Sequence, residues 1–434
     1  MLRFAPSPTG DMHIGNLRVA ILNFIVAKQR NERFIIRIED TDRERNIEGK
    51  DKEILAILDR FGITYDDVVY QSKNLSFHQN FAYKLLDEGK AFACFCTAEE
   101  LEQERQKAKE EKRPYRYSGK CENITLQEAS QRGEPFVVRI KKPDERLCFE
   151  DKIKGDLCFD PFEVDSFVIL RADGRATYNF ACAIDDMLYD ITLVIRGEDH
   201  LSNTPKQIHV RKLLGYDKEI AYAHLPIILN EAGKKMSKRE KASSVKWLLD
   251  EGFLPQAIAN YLILLGNKTP KEVFTLDEAI EWFDLADISK SPAKFDIEKL
   301  RFINRAHLKA LPKEELAKLL NVDEKYADLA KLYLEEASTL KELKEKIDRV
   351  LQCDRDFGEF EEEAFILKNI ILDIDIPEDF DAFKKILMER SGLKGKKFFK
   401  PLRLLLTGAP SGPEMQDIYN AMKNSIKEVV SCSS

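Results

Sequence analysis

Two short segments carry residue types suited to phosphate chemistry. Near the start runs Pro6-Ser7-Pro8-Thr9-Gly10-Asp11-Met12-His13-Ile14-Gly15. A strand feeding a glycine-bearing turn and then a helix offers an anion free backbone N–H groups and a positive dipole end. His13, just before that helix, can donate to a phosphate oxygen; taken alone it also fits a solvated turn residue. Far downstream, Lys234-Lys235-Met236-Ser237-Lys238-Arg239 follows Gly233. A basic loop of this kind can fold over a triphosphate and stabilise charge on a leaving pyrophosphate, or simply be a solvated charge run. Neither GxxxxGK[ST] nor GxGxxG occurs, so the phosphate loops built on those motifs are excluded.

The elements that must position these segments are readable. Leu2 to Ala5 is a short apolar run, and Pro6 and Pro8 end pairing. From Asn16 to Lys28, apolar residues recur at helical spacing, and Arg33 to Ile38 has strand length. A strand–helix–strand unit of this size implies parallel strands, with ligands at their carboxyl ends, where Glu39-Asp40-Thr41-Asp42 falls. Asp51 to Phe61 reads as a helix stopped by Gly62, and Thr97 to Lys112 as a polar helix with capping-box spacing at Thr97 and Glu100. Phe136 to Ile140, Phe167 to Arg171, Ile191 to Ile195 and Leu225 to Leu229 read as strands, with Asp173-Gly174 as a hairpin-type turn. Thr204-Pro205 starts a helix over Asn203 to Leu214. After Ser244 strand-like runs disappear, so an α/β part precedes an all-α part, with a boundary near Leu311-Pro312.

Composition narrows the class. The chain has 434 residues, 44% hydrophobic and 33% charged, which suits a soluble globular protein of two to four domains. No apolar run reaches a membrane-spanning length, and no secretory leader precedes Pro6, so a cytoplasmic protein without a membrane partner is expected. Lys and Arg total 69 against 76 Asp and Glu, a net charge of -7, which leaves room for a local basic face but not a uniformly basic surface. Eight cysteines are too few for a disulfide scaffold; Cys148, Cys158, Cys353 and Cys432 read as isolated and inert.

The two phosphate-directed segments, in this order, resemble the paired signatures of class I aminoacyl-tRNA synthetases. Arg3-Phe4-Ala5-Pro6-Ser7-Pro8-Thr9-Gly10, Arg37-Ile38-Glu39-Asp40-Thr41-Asp42 and Arg196-Gly197-Glu198-Asp199-His200 narrow the resemblance to bacterial glutamyl-tRNA synthetases. It spans roughly the first 310 residues and continues loosely through Pro401 to Gly408. The resemblance implies a Rossmann-type parallel-sheet catalytic domain with an α+β acceptor-binding insert, followed by an all-α anticodon-binding domain. The expected divisions are 1–85 and 186–243 for the two catalytic halves, 86–185 for the insert, 244–310 for a helical stem-contact region and 311–434 for the anticodon-binding domain. The implied reaction activates L-glutamate with ATP and Mg²⁺ and transfers it to the terminal ribose of tRNA-Glu. By similarity His13, Lys235 and Lys238 are catalytic, and Gly15, Asp199, His200, Ser237 and Lys238 bind the nucleotide. Arg3, Ala5, Ser7, Glu39, Tyr178 and Arg196 face the amino acid, with Arg3 and Arg196 each able to grip a carboxylate bidentately and Glu39 the ammonium. Arg3 and Tyr178 are assigned to the side-chain carboxylate, although sequence does not settle which arginine takes which. Ion pairing at strand ends is the competing reading of the charged three. Cys182 stands where some members have a polar residue.

Cys94-Phe95-Cys96 with Cys121 downstream is a partial zinc pattern. Some family members add a histidine where Asn123 stands; others use a tyrosine at the position of Tyr117, giving Cys94, Cys96, Tyr117 and Cys121 as a Zn²⁺ set, against three reduced cysteines at a relic spacing. Lys107, Lys109, Lys112, Arg113 and Arg116 suit the acceptor stem. Arg390, Lys394, Lys396, Lys397, Lys400 and Arg403, with Phe398 and Phe399 among them, suit phosphates and splayed anticodon bases, or a solvated turn whose phenylalanines are core. A monomer is the family expectation. Four other readings stay open. A paralogue would mainly or additionally glutamylate tRNA-Gln, consistent with Met12 and Asn16 departing from the commonest pattern; a non-catalytic RNA-binding paralogue is opposed by His13, Glu39, Arg196 and Lys238 together. A short relative modifying a tRNA base lacks the helical extension, and a glutaminyl enzyme carries a C-terminal β-barrel.

Overall fold

Strand β1 (Leu2–Phe4), helix α1 (Ile14–Arg30) and strand β2 (Phe34–Ile38) realise the expected first unit. Both strands are buried throughout, and β1 pairs with β2 in parallel, Arg3 opposite Ile35. Helix α2 (Lys50–Arg60) leads to β3 (Asp67–Tyr70), which adds in parallel to β2. The computed structural model describes residues 1–42, 44–237 and 240–431. The chain forms two units: Met1–Val245 with Leu262–Phe295, and Lys246–Tyr261 with Asp296–Ser434.

After α3 (Leu75–Asp87), strand β4 (Ala91–Cys94) starts a second layer. It is followed by the polar helix α4 (Ala98–Glu110), whose Thr97–Glu100 capping box forms as the spacing predicts, and by the short α5 (Leu126–Arg132). β5 (Val137–Ile140) pairs antiparallel with β4 and with a later strand, β8 (Val168–Leu170). Between them, β6 (Leu147–Asp151) and β7 (Gly155–Phe159) form a hairpin that leaves this sheet. Then come the single turn α6 (Pro161–Val164) and β8 (Val168–Leu170). A turn at Asp173-Gly174, closed by Gly174 N–H on Arg171 O at 2.9 Å, leads into α7 (Tyr178–Leu188). β9 (Leu193–Gly197), α8 (Thr204–Leu213) and β10 (Ala221–Leu225) complete a second parallel unit, and β6 joins the far side of β10. The span 86–185 therefore feeds two different sheets.

β1 lies beside β9, with Thr192 N–H donating to Met1 O at 2.9 Å. From this point β2 and β3 extend one way and β10, β6 and β7 the other. The order reverses between β1 and β9, and the carboxyl ends of strands at such a reversal form a crevice. Two sequence expectations need correction. The strand assigned to Leu225–Leu229 is two elements, because Pro226 has no N–H to continue β10; Ile228–Leu229 pairs separately with Ala293–Lys294, which also places a short strand beyond Ser244. Cys148 and Cys158 are not isolated. They sit opposite each other in the β6–β7 register and form a disulfide, a pairing their ten-residue separation does not reveal. Cys353 is also disulfide-bonded, and Cys432 lies outside the described residues.

The second unit is built of helices, with no strand among its described residues. Its core contains Leu316, Leu343, Ile347, Leu367, Ile371, Phe383, Phe398, Leu405 and Tyr419. Arg355 is buried at the ends of two of its helices. Its guanidinium donates to Gln352 O at 3.1 Å, Val350 O at 2.5 Å and Leu404 O at 3.1 Å, and to Leu405 O. Carbonyls at helix C-termini attract a cation, and burial lowers the guanidinium pKa to about 10. Arg355→Met is expected to lower the stability of this unit by about 1–3 kcal/mol, because the carbonyls lose their donor in a dry place. Calorimetry should show the loss.

Candidate active site

The crevice is a cavity of ≈ 350 Å³. Arg3, Ala5, Ser7, His13, Gly15, Glu39, Tyr178, Arg196, Asp199, His200 and Lys235 all line it, so most of the residues singled out from sequence converge. Ser237 is not among the lining residues; its N–H donates to Glu240 at 2.9 Å. Lys238 lies outside the described residues.

One wall is the N-terminus of α1. His13 caps it, with Nδ1 accepting the Gly15 N–H at 3.0 Å, so a neutral ring carries its proton on Nε2. A Cβ on Gly15 would stand 3.2 Å from that Nδ1, a tight approach that would press on the cap. No acidic residue occupies the first turn, so the dipole end is left for an anion. Opposite, Tyr178 OH lies 3.0 Å from His200 Nδ1. Burial, then Arg196, lowers the His200 pKa and keeps the ring neutral near pH 7. Lys235 Nζ is 3.5 Å from Asp199 on the exposed rim.

The floor is a buried ion network. Arg3, 4% exposed, donates from Nε and Nη2 to Asp186 at 3.2 and 3.4 Å. Arg37 is fully buried and donates to Asp186 at 2.6 Å and to Glu39 Oε1 at 3.1 Å. Burial pushes the Asp186 carboxyl up, but Arg3 and Arg37 outweigh it and hold it well below the usual range. Cys182 also lies on this floor: its thiol donates to Glu39 Oε1 at 3.2 Å, and burial followed by the Glu39 charge keeps it protonated. Asp185, one residue earlier, accepts from Gln71 at 2.8 Å and Asn74 at 3.0 Å and meets His78 Nε2 at 2.8 Å.

Arg196 differs. At 6% exposure it donates to His224 Nε2, Gln207 Oε1 and Thr204 Oγ1 at 3.1, 3.0 and 2.6 Å. All three partners are neutral, whereas Arg3 is already matched by a carboxylate. Of the two, Arg3 commits its Nε–Nη2 edge to Asp186, whereas Arg196 has no ion pair among the described residues.

The three thiols of Cys94, Cys96 and Cys121 lie within 4.8 Å of one another, with Cys96 and Cys121 3.7 Å apart. Tetrahedral zinc with bonds of about 2.3 Å puts ligand sulfurs roughly 3.8 Å apart. The Tyr117 hydroxyl is 3.5 Å from both Cys94 and Cys96 sulfurs, and the Arg139 guanidinium sits 4.2 Å from its ring centre. The donor set fits a tetrahedral zinc.

The basic run on the second unit is partly spent. Arg390, Lys396 and Lys397 pair with Asp373, Glu359 and Glu363 at 2.7, 2.7 and 2.9 Å, and Arg403 donates to Pro413 O. Lys394 and Lys400 are exposed, Phe398 is core and Phe399 is 48% exposed. Packing and display thus divide between adjacent phenylalanines.

Sequence reading gave no site role to Arg37, Asp185 or Asp186, nor to the cradle of Arg196. One signal was present: adjacent carboxylates inside the otherwise apolar Phe180 to Leu188 run, on the helix that begins at Tyr178.

Comparison with known proteins identifies the family. Residues 1–302 match the family described as "tRNA synthetases class I (E and Q), catalytic domain", and residues 301–424 an "Anticodon binding domain". The chain is 76% identical over 430 residues to "Glutamate--tRNA ligase 1" of a Nitratiruptor species, covering 99% of this chain and 100% of that one. It is 58% identical over 429 residues, 99% of each chain, to the protein of the same name from Campylobacter jejuni subsp. jejuni. Among solved structures it is similar to a glutamate tRNA ligase from Elizabethkingia meningosepticum in complex with its amino acid, with a TM-score of 0.84 and 28% identity over 99% of this chain and 97% of that one. With its catalytic and anticodon-binding segments matched end to end, and with near full-length relatives at this identity, the chain belongs to the class I glutamyl- and glutaminyl-tRNA synthetase family.

Proposed function

We propose that this protein is a glutamate–tRNA ligase that forms glutamyl-adenylate from L-glutamate and ATP and transfers the glutamyl group to the 3′ end of tRNA-Glu. The observation that carries the reading is the cavity itself: two nearly buried guanidiniums and one buried carboxylate face a helix N-terminus free of acid. Glutamate brings two carboxylates and an ammonium, the inverse of that set. Glu39, its Oε1 already bonded by Arg37 and Cys182, takes the ammonium with Ser7 beside it; Arg3 and Arg196 take the carboxylates, with Tyr178 assisting Arg3. His13 and the positive dipole end of α1 at Gly15 receive the phosphates; Asp199 and His200 hold the nucleoside side. Lys235, Ser237 and Lys238 close over the leaving pyrophosphate, where positioning and charge stabilisation supply the acceleration. When bound, Mg²⁺ would neutralise phosphate charge; of the acidic residues lining the cavity, Asp11 pairs with Lys50 and Asp199 with Lys235.

The domain functions follow the same reading: residues 86–185 meet the acceptor end, 244–310 the stem and 311–434 the anticodon, with Lys394, Lys400 and Phe399 as the displayed contacts. No helix among the described residues is long and apolar enough to cross a membrane. The enzyme acts as a cytoplasmic monomer. The test is charging of labelled glutamate onto tRNA-Glu and tRNA-Gln transcripts side by side, with ATP and Mg²⁺. Charging of tRNA-Glu alone is expected; charging of tRNA-Gln would replace this assignment with a supplier of misacylated tRNA, and charging of neither by folded protein would end the enzyme reading.

Zinc belongs to the same proposal. Cys94, Cys96, Cys121 and Tyr117 would hold it and so tie α4 to the sheet beneath. Metal analysis is expected to find about one zinc per chain, and Cys121→Ser to remove it and loosen this region to proteolysis. A metal-free wild-type protein with unchanged protease resistance would refute it.

A further inference from the structure

The Arg196 cradle ends in a buried pair that does not touch the cavity. His224 on β10 and Asp151 at the end of β6 are 0% and 1% exposed, and neither lines the crevice. Asp151 Oδ1 accepts the N–H groups of Ile153 and Lys154 at 2.9 and 2.8 Å; Oδ2 accepts His224 N at 3.1 Å and meets Nδ1 at 2.6 Å. An ionised carboxylate can only accept, so the imidazole proton sits on Nδ1 and Nε2 presents a bare lone pair. That lone pair faces Arg196 Nε–H at 3.1 Å. Thr204 Oγ1, 3.0 Å from the same nitrogen, accepts from Arg196 Nη2 and turns its own proton to Nε2.

We propose that His224, its tautomer set by Asp151, is a positioning residue for glutamate recognition: it holds Arg196 by a neutral acceptor, so the guanidinium is fixed in place while its charge stays unmatched for an incoming carboxylate. A carboxylate in the place of His224 would hold Arg196 as firmly but neutralise it. Burial, despite Asp151, keeps the imidazole pKa low, consistent with a ring that stays neutral beside a cation. The inference rests on the proposed role of Arg196 in binding glutamate.

The test uses the full-length enzyme in ATP–pyrophosphate exchange with tRNA present. His224→Asn retains a donor for Asp151 but does not reach Arg196; His224→Gln places an acceptor near the Nε2 position. For His224→Asn the glutamate KM is expected to rise roughly ten- to hundredfold, with the ATP KM within about twofold; His224→Gln should recover most of the loss. Asp151→Asn, whose carbonyl stays with Ile153 and Lys154, turns its NH₂ toward Nδ1 and moves the imidazole proton to Nε2, against Arg196; it should reproduce the selective rise and decides the matter if His224→Asn does not fold. An unchanged glutamate KM in folded His224→Asn, or equal rises for glutamate and ATP, overturns the proposal. Arg196→Gln separates the two readings: if it leaves the glutamate KM unchanged, the site assignment fails; if it raises it while His224→Asn is silent, only the positioning role fails.

Discussion

Asp186→Asn is expected to destabilise the N-terminal unit by about 3–5 kcal/mol, the cost of leaving buried charge without its partner. The carboxylate stands between Arg3 and Arg37 with no solvent to replace it, at 0% exposure for Asp186 and Arg37 alike. An amide keeps the shape but offers a single acceptor and no charge to two guanidiniums. The same loss should show in function, because Arg3 reaches the cavity only as Asp186 aims it. Chemical denaturation of wild type and variant is the measurement, and its pH dependence carries the sign. A depressed native pKa stabilises above the unfolded carboxylate value of about 3.9; the contribution is lost as pH falls through the native value. The gap between the two proteins should therefore be full at pH 6–7, roughly two to three pH units above that value, and shrink under strongly acidic conditions.

Arg196→Gln should do the opposite: little to stability, much to catalysis. Its three protein partners are neutral, and glutamine can still bond Thr204 or Gln207, so a stability change within about 1 kcal/mol is expected. A substrate carboxylate would lose a desolvated charge partner worth about 2–5 kcal/mol, roughly thirtyfold to several thousandfold in kcat/KM for glutamate. Free glutamine, which gains little from a cation, should lose far less, so the preference for glutamate over glutamine narrows. Parallel exchange assays with both amino acids measure this directly.

What could be read without coordinates was what is contiguous in the chain. Pro6 to Gly15, Arg37 to Asp42, Arg196 to His200 and the basic loop each occupy one turn or strand end, and the strand–helix–strand pattern told where such ends meet. What escaped depends on convergence. Asp186 sits on α7, Arg3 on β1 and Arg37 on β2; Asp151 on β6 and His224 on β10 are 73 residues apart. A buried charge is unremarkable in sequence until its partner is known. The β6–β7 hairpin was missed for another reason: its strands, LCFED and GDLCF, expose alternate polar positions and carry no long apolar run. Three of the basic residues of 390–403 looked free because Glu359, Glu363 and Asp373 come from a preceding helix or its approach.

The chain passes between its two units at 245/246, 261/262 and 295/296. The returning stretch is not ornamental: Arg18 on α1 donates to Leu265 O, and Gln29 to Ile280 O and Phe283 O at 3.0 and 2.7 Å. During synthesis, then, every residue of the crevice has left the ribosome well before the helix behind it acquires its cover. The nascent N-terminal half must wait, with the outer side of α1 bare, through a detour that belongs to the other unit.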